Sequence, residues 1–244
     1  MVLVWVLSCI LAGSLGAVAV AGGFLLFPDQ VRRRILPLLV SYATGSLLGG
    51  AFLGLLPHAL AHASPGTVLP YVFVGFVFFF ILERLVIWRH CHLEHCTIHS
   101  SAGPLIIIGD SVHNFADGVI IAAAFLTSTE LGIATTIAVV AHEIPQEVGD
   151  FAILLDSGYS VRRALLLNVA ASGASLIGGF GAYFLLNQIE SLLPYVMAIS
   201  AASFIYIAAS DLIPGLHRES SPRHAVQQVL LLIAGAGTIW LFHR

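Results

Sequence analysis

Eight apolar stretches, each long enough to cross a bilayer, follow one another along the sequence with only short polar breaks between them. A helix needs about 20 mainly apolar residues to span a hydrocarbon layer of roughly 30 Å. The stretches cover residues 2–26, 36–60, 69–88, 103–127, 131–155, 161–186, 192–213 and 225–242. They predict an all-α, polytopic membrane protein with eight transmembrane helices. A soluble fold is excluded by the surface it would need: 9% of the residues are charged and 58% are hydrophobic, against about 25% charged in a soluble domain.

The first stretch lacks a basic leader and outruns the roughly 7 to 15 apolar residues of a secretion signal, so it is expected as a retained helix. The breaks carry turn chemistry, as in Ser64-Pro65-Gly66, Asp156-Ser157-Gly158 and Ser220-Ser221-Pro222. Residues 1–244 are therefore expected to form a single transmembrane transporter domain. Arg32, Arg33, Arg34, Arg89, Arg162, Arg163, Arg218 and Arg223 fall in alternate breaks, and the other breaks hold no basic residue. The positive-inside rule puts the arginine loops in the cytoplasm and both termini outside it. The short chain without a large outer domain points to the plasma (inner) membrane of a prokaryote. The lipid bilayer is thus one partner, a homodimer is compatible with this reading, and no nucleic-acid partner is expected.

The three cysteines, Cys9, Cys91 and Cys96, do not make a disulfide framework. Two of them lie in the longest polar segment, a cytoplasmic His-rich loop at residues 89–102 with His90, His92, His95 and His99. Short His/Cys tracts of this kind bind metal; a solvated loop without a specific role is the alternative. Glycines inside the helices, such as Gly45/Gly49 and Gly178 to Gly181, fit close helix packing in lipid.

The chemistry concentrates in two spans. The fourth contains Asp110, His113, Asn114 and Asp117, the fifth His142, Glu143, Gln146, Glu147 and Asp150, and no Lys or Arg occurs from residue 103 to 161. A charge near the bilayer centre costs at least about 2.5–3.5 kcal/mol, and such a residue normally faces a partner or a water-filled path. With no base at hand, either several carboxylates are protonated or a bound cation balances them, and the interleaved histidines and amides favour the cation. At about 100° per residue, Asp117 projects roughly 40° from His113 and roughly 60° from Asn114. Gln146 falls likewise between His142 and Glu143. The break at residues 128–130 is short, which makes the two helices antiparallel neighbours. At about 1.5 Å per residue, Asp117 and His142 then share a depth of roughly 18–20 Å from the turn, and His113 and Gln146 one of roughly 24–26 Å. Pro145 removes a helical hydrogen bond and is expected to free the Ala141 carbonyl. Mixed imidazole and carboxylate donors suit zinc and other first-row dications better than Mg²⁺ or Ca²⁺.

Further candidates line a pathway. His58 and His62 sit four apart at the outer end of the second span, where they either meet incoming metal or rest among headgroups. Asp110 and Asp150 are read as pathway residues, whereas Asp211, close to Pro214, is read as interfacial only. Besides a metal carrier, the residues admit an intramembrane zinc metalloprotease, whose helix carries His-Glu-x-x-His with Glu as the base, or a metal-gated channel or sensor. Gln146 in place of the second His counts against the protease, so an enzyme is not expected. A polar network that only joins helices is the remaining alternative.

His113-Asn114-Phe115-Ala116-Asp117-Gly118 and His142-Glu143-Ile144-Pro145-Gln146-Glu147 resemble the paired signatures of the ZIP (Zrt/Irt-like) metal transporters. The similarity extends to Gly109-Asp110, Gly149-Asp150-Phe151, Leu55-Leu56-Pro57-His58 and Asp211-Leu212-Ile213-Pro214, and so over nearly the whole chain. It implies import of zinc, or in some members iron, manganese or cadmium, into the cytoplasm through a two-metal site between the fourth and fifth helices. By this resemblance His113, Asp117, His142 and Gln146 match the first metal position, and Asn114, Asp117, Glu143, Gln146 and Glu147 the second. It also implies a rigid group of helices sliding against the rest. The chain departs from the His-Glu-x-Pro-His-Glu form at Gln146, carries Gly50 and Gly54 where the branch has an Asp and a His, and has no acid in its sixth span.

Overall fold

Long apolar runs in this chain become helices because nothing in lipid but the helix itself can bond the backbone. The computed structural model describes residues 1–88, 102–217 and 222–242. Among them the chain forms eight long helices: α1 (Val2–Phe24), α2 (Asp29–His62), α3 (Pro65–Trp88), α4 (Ala102–Thr127), α5 (Thr129–Asp156), α6 (Val161–Gln188), α7 (Leu193–Leu216) and α8 (Pro222–Phe242). No strand occurs among the described residues. Seven of these helices are long and apolar enough to cross a membrane. The eighth, α5, has 28 residues but carries Glu130, Glu143, Glu147 and Asp150, and those acids keep it out of that class. The His-rich loop, with His90, His92, His95 and His99, lies outside the described residues.

Helix ends follow local chemistry. Ser128 caps α5 by accepting the Leu131 N–H at 3.1 Å, and Ser160 caps α6 by accepting the Arg163 N–H at 3.4 Å. After Asp156 the chain leaves α5 through Gly158, the one described residue with a positive φ, at 86°. α2 begins at Asp29, seven residues before the expected span, because Pro28 and Asp29 make a helix start and Asp29 pairs with Arg32 one turn on. α3 likewise begins at Pro65 rather than 69, the Ser-Pro-Gly turn being its first turn.

α2 and α7 each contain a wide π turn, at Gly50–Leu55 and Ala208–Leu212. Each is followed by a proline, Pro57 or Pro214, that cannot bond the carbonyl four residues back, Leu53 or Ser210. The wide turn absorbs that missing bond. Pro145, in contrast, lies inside an unbroken α5.

α1, α4, α5 and α6 pack on one another, while α2 packs on α8, α3 on α7, and α2 on α7. Two seams are so close that only glycine fits. A Cβ on Gly45 would fall on the Leu232 carbonyl of α8, and one on Gly118 on the Ser175 carbonyl of α6. Apolar side chains fill two separate cores. The larger holds Val6, Leu47, Leu55, Ile120, Phe125, Leu131, Met197 and Phe204; the smaller holds Val18, Phe24, Val148, Phe151, Leu154 and Ala164. In α4 and α5 the polar residues of both motifs fall between these cores. The smaller core lies at the end of the bundle where Arg32, Arg33, Arg34, Arg162 and Arg163 sit.

Candidate metal centre

α4 and α5 are antiparallel neighbours across Ser128, so residues a similar distance from that turn meet. His142 Nε2 stands 3.3 Å from Asp117 Oδ2, as the shared depth predicts, and 3.0 Å from His113 Nε2. His113 Nε2 is 3.6 Å from Asp117 Oδ2 and 3.5 Å from Glu143 Oε1, and His142 Nε2 is 3.8 Å from Glu143 Oε1. A tetrahedral zinc with bonds of about 2.0–2.1 Å sets its ligand atoms roughly 3.3–3.4 Å apart. The four side chains therefore bring two imidazole nitrogens and two carboxylate oxygens to the separations that one such ion needs.

Burial and second partners prepare these groups. His142 and Glu143 are 1% and 2% exposed, and Asp117 is 2% exposed. His142 Nδ1 donates to the Ala138 carbonyl at 3.1 Å. In the neutral ring that leaves Nε2 with the lone pair, the arrangement a metal-bound histidine needs. Both carboxylate oxygens of Asp117 and both of Glu143 are without a hydrogen-bond partner among the described residues. A buried polar atom normally has one, and a cation between these groups would supply it. No Arg or Lys pairs with them; the one described arginine ion pair is Arg32 with Asp29, at the bundle end.

One helical turn nearer the arginine end, Asp110, Glu143 and Glu147 bring carboxylate oxygens within 4.8 Å of one another. Asp110 Oδ1 accepts from Asn114 Nδ2 at 2.9 Å and from Gln146 Nε2 at 3.2 Å. Glu147 Oε1 accepts from the Ser172 hydroxyl at 2.8 Å. The structure thus brings His113, Asp117, His142 and Glu143 together, and Asp110, Glu143 and Glu147 together, with Glu143 in both groups. Asn114 and Gln146 donate to Asp110. Gln146 is drawn toward Asp110 rather than to the depth of His113, because its side chain reaches past the position that backbone rise alone assigns.

A cavity of about 510 Å³ opens from this place toward the arginine end, lined by His113, His142, Gln146, Asp110, Asp150 and Asp211 among others. Asp150 is buried there. Asp211, in the π turn that precedes Pro214, is exposed and also borders this cavity. His58 and His62 lie at the other end, in a separate cavity. The space at Gly50 is taken by the Phe204 ring, 3.0 Å from where a Cβ would stand, and that ring meets His142 edge-on at 6.1 Å. The part played by Ser172 and Phe204 had no signature in the sequence, since an isolated Ser or Phe in an apolar helix is unremarkable.

Membrane-length helices around a buried group of imidazoles and carboxylates define a polytopic membrane protein whose centre has the side chains to hold a metal ion. A family model described as ZIP Zinc transporter matches residues 88–243, and the chain belongs to that family. Its members are transporters rather than enzymes, which removes the metalloprotease alternative. Similar relatives include zinc transporter ZIP13 of Pongo abelii, 36% identical over 219 residues (84% of this chain and 66% of that protein), and ZIP13 of Mus musculus, 31% identical over 241 residues (81% and 67%). Zinc transporter ZIP4 of Homo sapiens is 42% identical over 119 residues, which is 49% of this chain and 18% of that protein. The chain therefore spans about two thirds or less of these relatives' lengths.

Proposed function

We propose that this protein carries zinc across the membrane into the cytoplasm through the His113–Asp117–His142–Glu143 group between α4 and α5. The observation that carries the reading is the set of ligand-atom separations, 3.0–3.8 Å, in a buried place with four unengaged carboxylate oxygens. The zinc-transporter names of the relatives support zinc as cargo, and iron, manganese and cadmium are the competitors to test against it. Glu143 belongs to both carboxylate groups, so a second cation sits with Asp110, Glu143 and Glu147 when zinc is abundant. Asn114 and Gln146 orient Asp110 there.

All eight long helices cross the bilayer in this reading, α5 being sheltered by α1, α4 and α6. The arginine end faces the cytoplasm by the positive-inside rule, and both termini lie outside. The chain works as one transport domain, with the His-rich segment that precedes α4 receiving metal on the cytoplasmic side. The 510 Å³ cavity reaches the centre from the cytoplasmic side, and no residue of the centre lines the cavity at the other end. This arrangement supports reading the protein as a carrier open to the inside. Return to the outside needs the packed layer around Phe204 and Leu131 to part.

Uptake of zinc into proteoliposomes tests the reading. The wild-type protein is expected to give saturable uptake, and Asp117→Ala or His142→Ala to abolish it while insertion and helix content stay intact. Wild-type rates in either variant, or uptake that never saturates, contradict it.

A further inference from the structure

Toward the arginine end a further cavity, of about 600 Å³, forms a groove between α1, α5 and α6. Leu15, Gly22 and Leu25 from the first helix, Leu155 of α5, and Leu165 and Val169 of α6 line it, and Arg32 of α2 joins them. The groove opens sideways, since Leu15, Leu165 and Val169 are all exposed. Leu25 closes α1, and Leu15 lies ten residues before it, about 15 Å along the helix axis. That is half of a hydrocarbon layer of roughly 30 Å, the depth of one leaflet. In a bilayer, hydrocarbon fills an apolar groove of that depth. Which lipid supplies it is decided at the charged end.

Arg32 is the polar side chain of the described lining and is 32% exposed. Its Nη2 pairs with Asp29, while its Nε is buried with no hydrogen-bond partner among the described residues. Arg33, Arg34, Arg162 and Arg163 are exposed at the same end. The Arg163 guanidinium rests over the Tyr159 ring at 4.9 Å, and tyrosine beside arginine is the chemistry of a membrane–water interface. The segments 25–34 and 156–163 that flank the groove hold five arginines and two aspartates, Asp29 and Asp156. With each acid set against one arginine, three positive charges remain. A zwitterionic headgroup brings its own cation and leaves that excess standing, whereas an anionic headgroup offsets it. Arginine N–H groups match phosphate oxygens, and basic places between helices at the cytoplasmic surface hold anionic headgroups.

We infer that this groove binds an anionic phospholipid of the surrounding bilayer, with an acyl chain lying along α1 between α5 and α6 and the headgroup phosphate at Arg32. Such a lipid bridges α2 to the helices that carry the metal centre. The site stands whatever the centre transports.

Native mass spectrometry of the detergent-purified protein, titrated with phosphatidylglycerol or with phosphatidylcholine of the same acyl chains, reads the first lipid bound. Phosphatidylglycerol is expected to bind at least about fivefold more tightly, and Arg32→Gln to reduce that preference by about fivefold, the contribution of one arginine at a charged surface. Gly22→Leu occupies the groove itself: a Cβ there would stand 3.9 Å from Phe151 and 4.0 Å from Leu165, so it enters without a clash. It is expected to weaken both lipids by at least about fivefold, whereas Gly16→Leu, on the same helix outside the lining, leaves them unchanged. A phosphatidylglycerol with a photoreactive acyl chain tests the wild-type protein without any substitution, and its crosslinks are expected in segments 15–26 and 161–169. Equal affinity for the two lipids, a preference that survives Arg32→Gln, Gly22→Leu behaving as Gly16→Leu does, or crosslinks confined to other segments each overturn the site.

Discussion

Asp117 is 2% exposed, stands 3.3 Å from His142 Nε2 and has no hydrogen-bond partner among the described residues for either oxygen. Its charge is balanced by a cation or by protons, and the two compete for the same lone pairs. Every proton taken up at His113, Asp117, His142 or Glu143 removes one ligand, so the protonated forms bind metal less well. Zinc affinity, measured by titration calorimetry, is therefore expected to fall as the pH is lowered from about 7.5 to about 5. An affinity that stays level over that interval removes these residues as ligands. The two motifs were legible at this scale because buried acids without a base announce themselves in any apolar sequence. Gln146 was less legible. Its backbone position matched His113 in depth, but side-chain reach and the acceptor offered by Asp110 decided where its amide went.

Among the elements, existence was readable and detail was not. Apolar length revealed the helices, while the start of α2 at Asp29 escaped because three arginines in its first turns break the apolar run. The π turns of α2 and α7 escaped because a single wide turn leaves the hydrophobic period unchanged; only the prolines that follow them hint at it. Glycine pairing was readable as close packing but not as to partner. Gly45 meets α8 at Leu232, whereas Gly16 has nothing within 4 Å of its missing Cβ. Gly45→Leu is expected to destabilise the protein by about 1–3 kcal/mol or more through overpacking, seen as a lower unfolding temperature in detergent. Gly16→Ala is the control and should leave that temperature nearly unchanged. Equal effects of the two substitutions would falsify the α2–α8 seam.

For the molecule as a whole, the grouping of α1, α4, α5 and α6 against α2, α3, α7 and α8 was not written in any local pattern, since it depends on which apolar faces meet. What the grouping does is carry the polar centre on one set of helices and cover it with the other, through Gly50 of α2 and Phe204 of α7. Because a cation that binds only the folded protein stabilises it, zinc at a hundred times its Kd should add about 2.7 kcal/mol. A thermal scan should show that gain in the wild type and lose it in Asp117→Ala. An equal gain in both places the stabilising ion elsewhere.

Anomalous diffraction from crystals grown with zinc tests the central claim most directly. A peak is expected about 2.0–2.1 Å from the Nε2 atoms of both His113 and His142, with Asp117 and Glu143 oxygens completing its shell. Crystals in zinc excess that hold these four side chains as described, with no peak between them, would contradict a metal centre between α4 and α5.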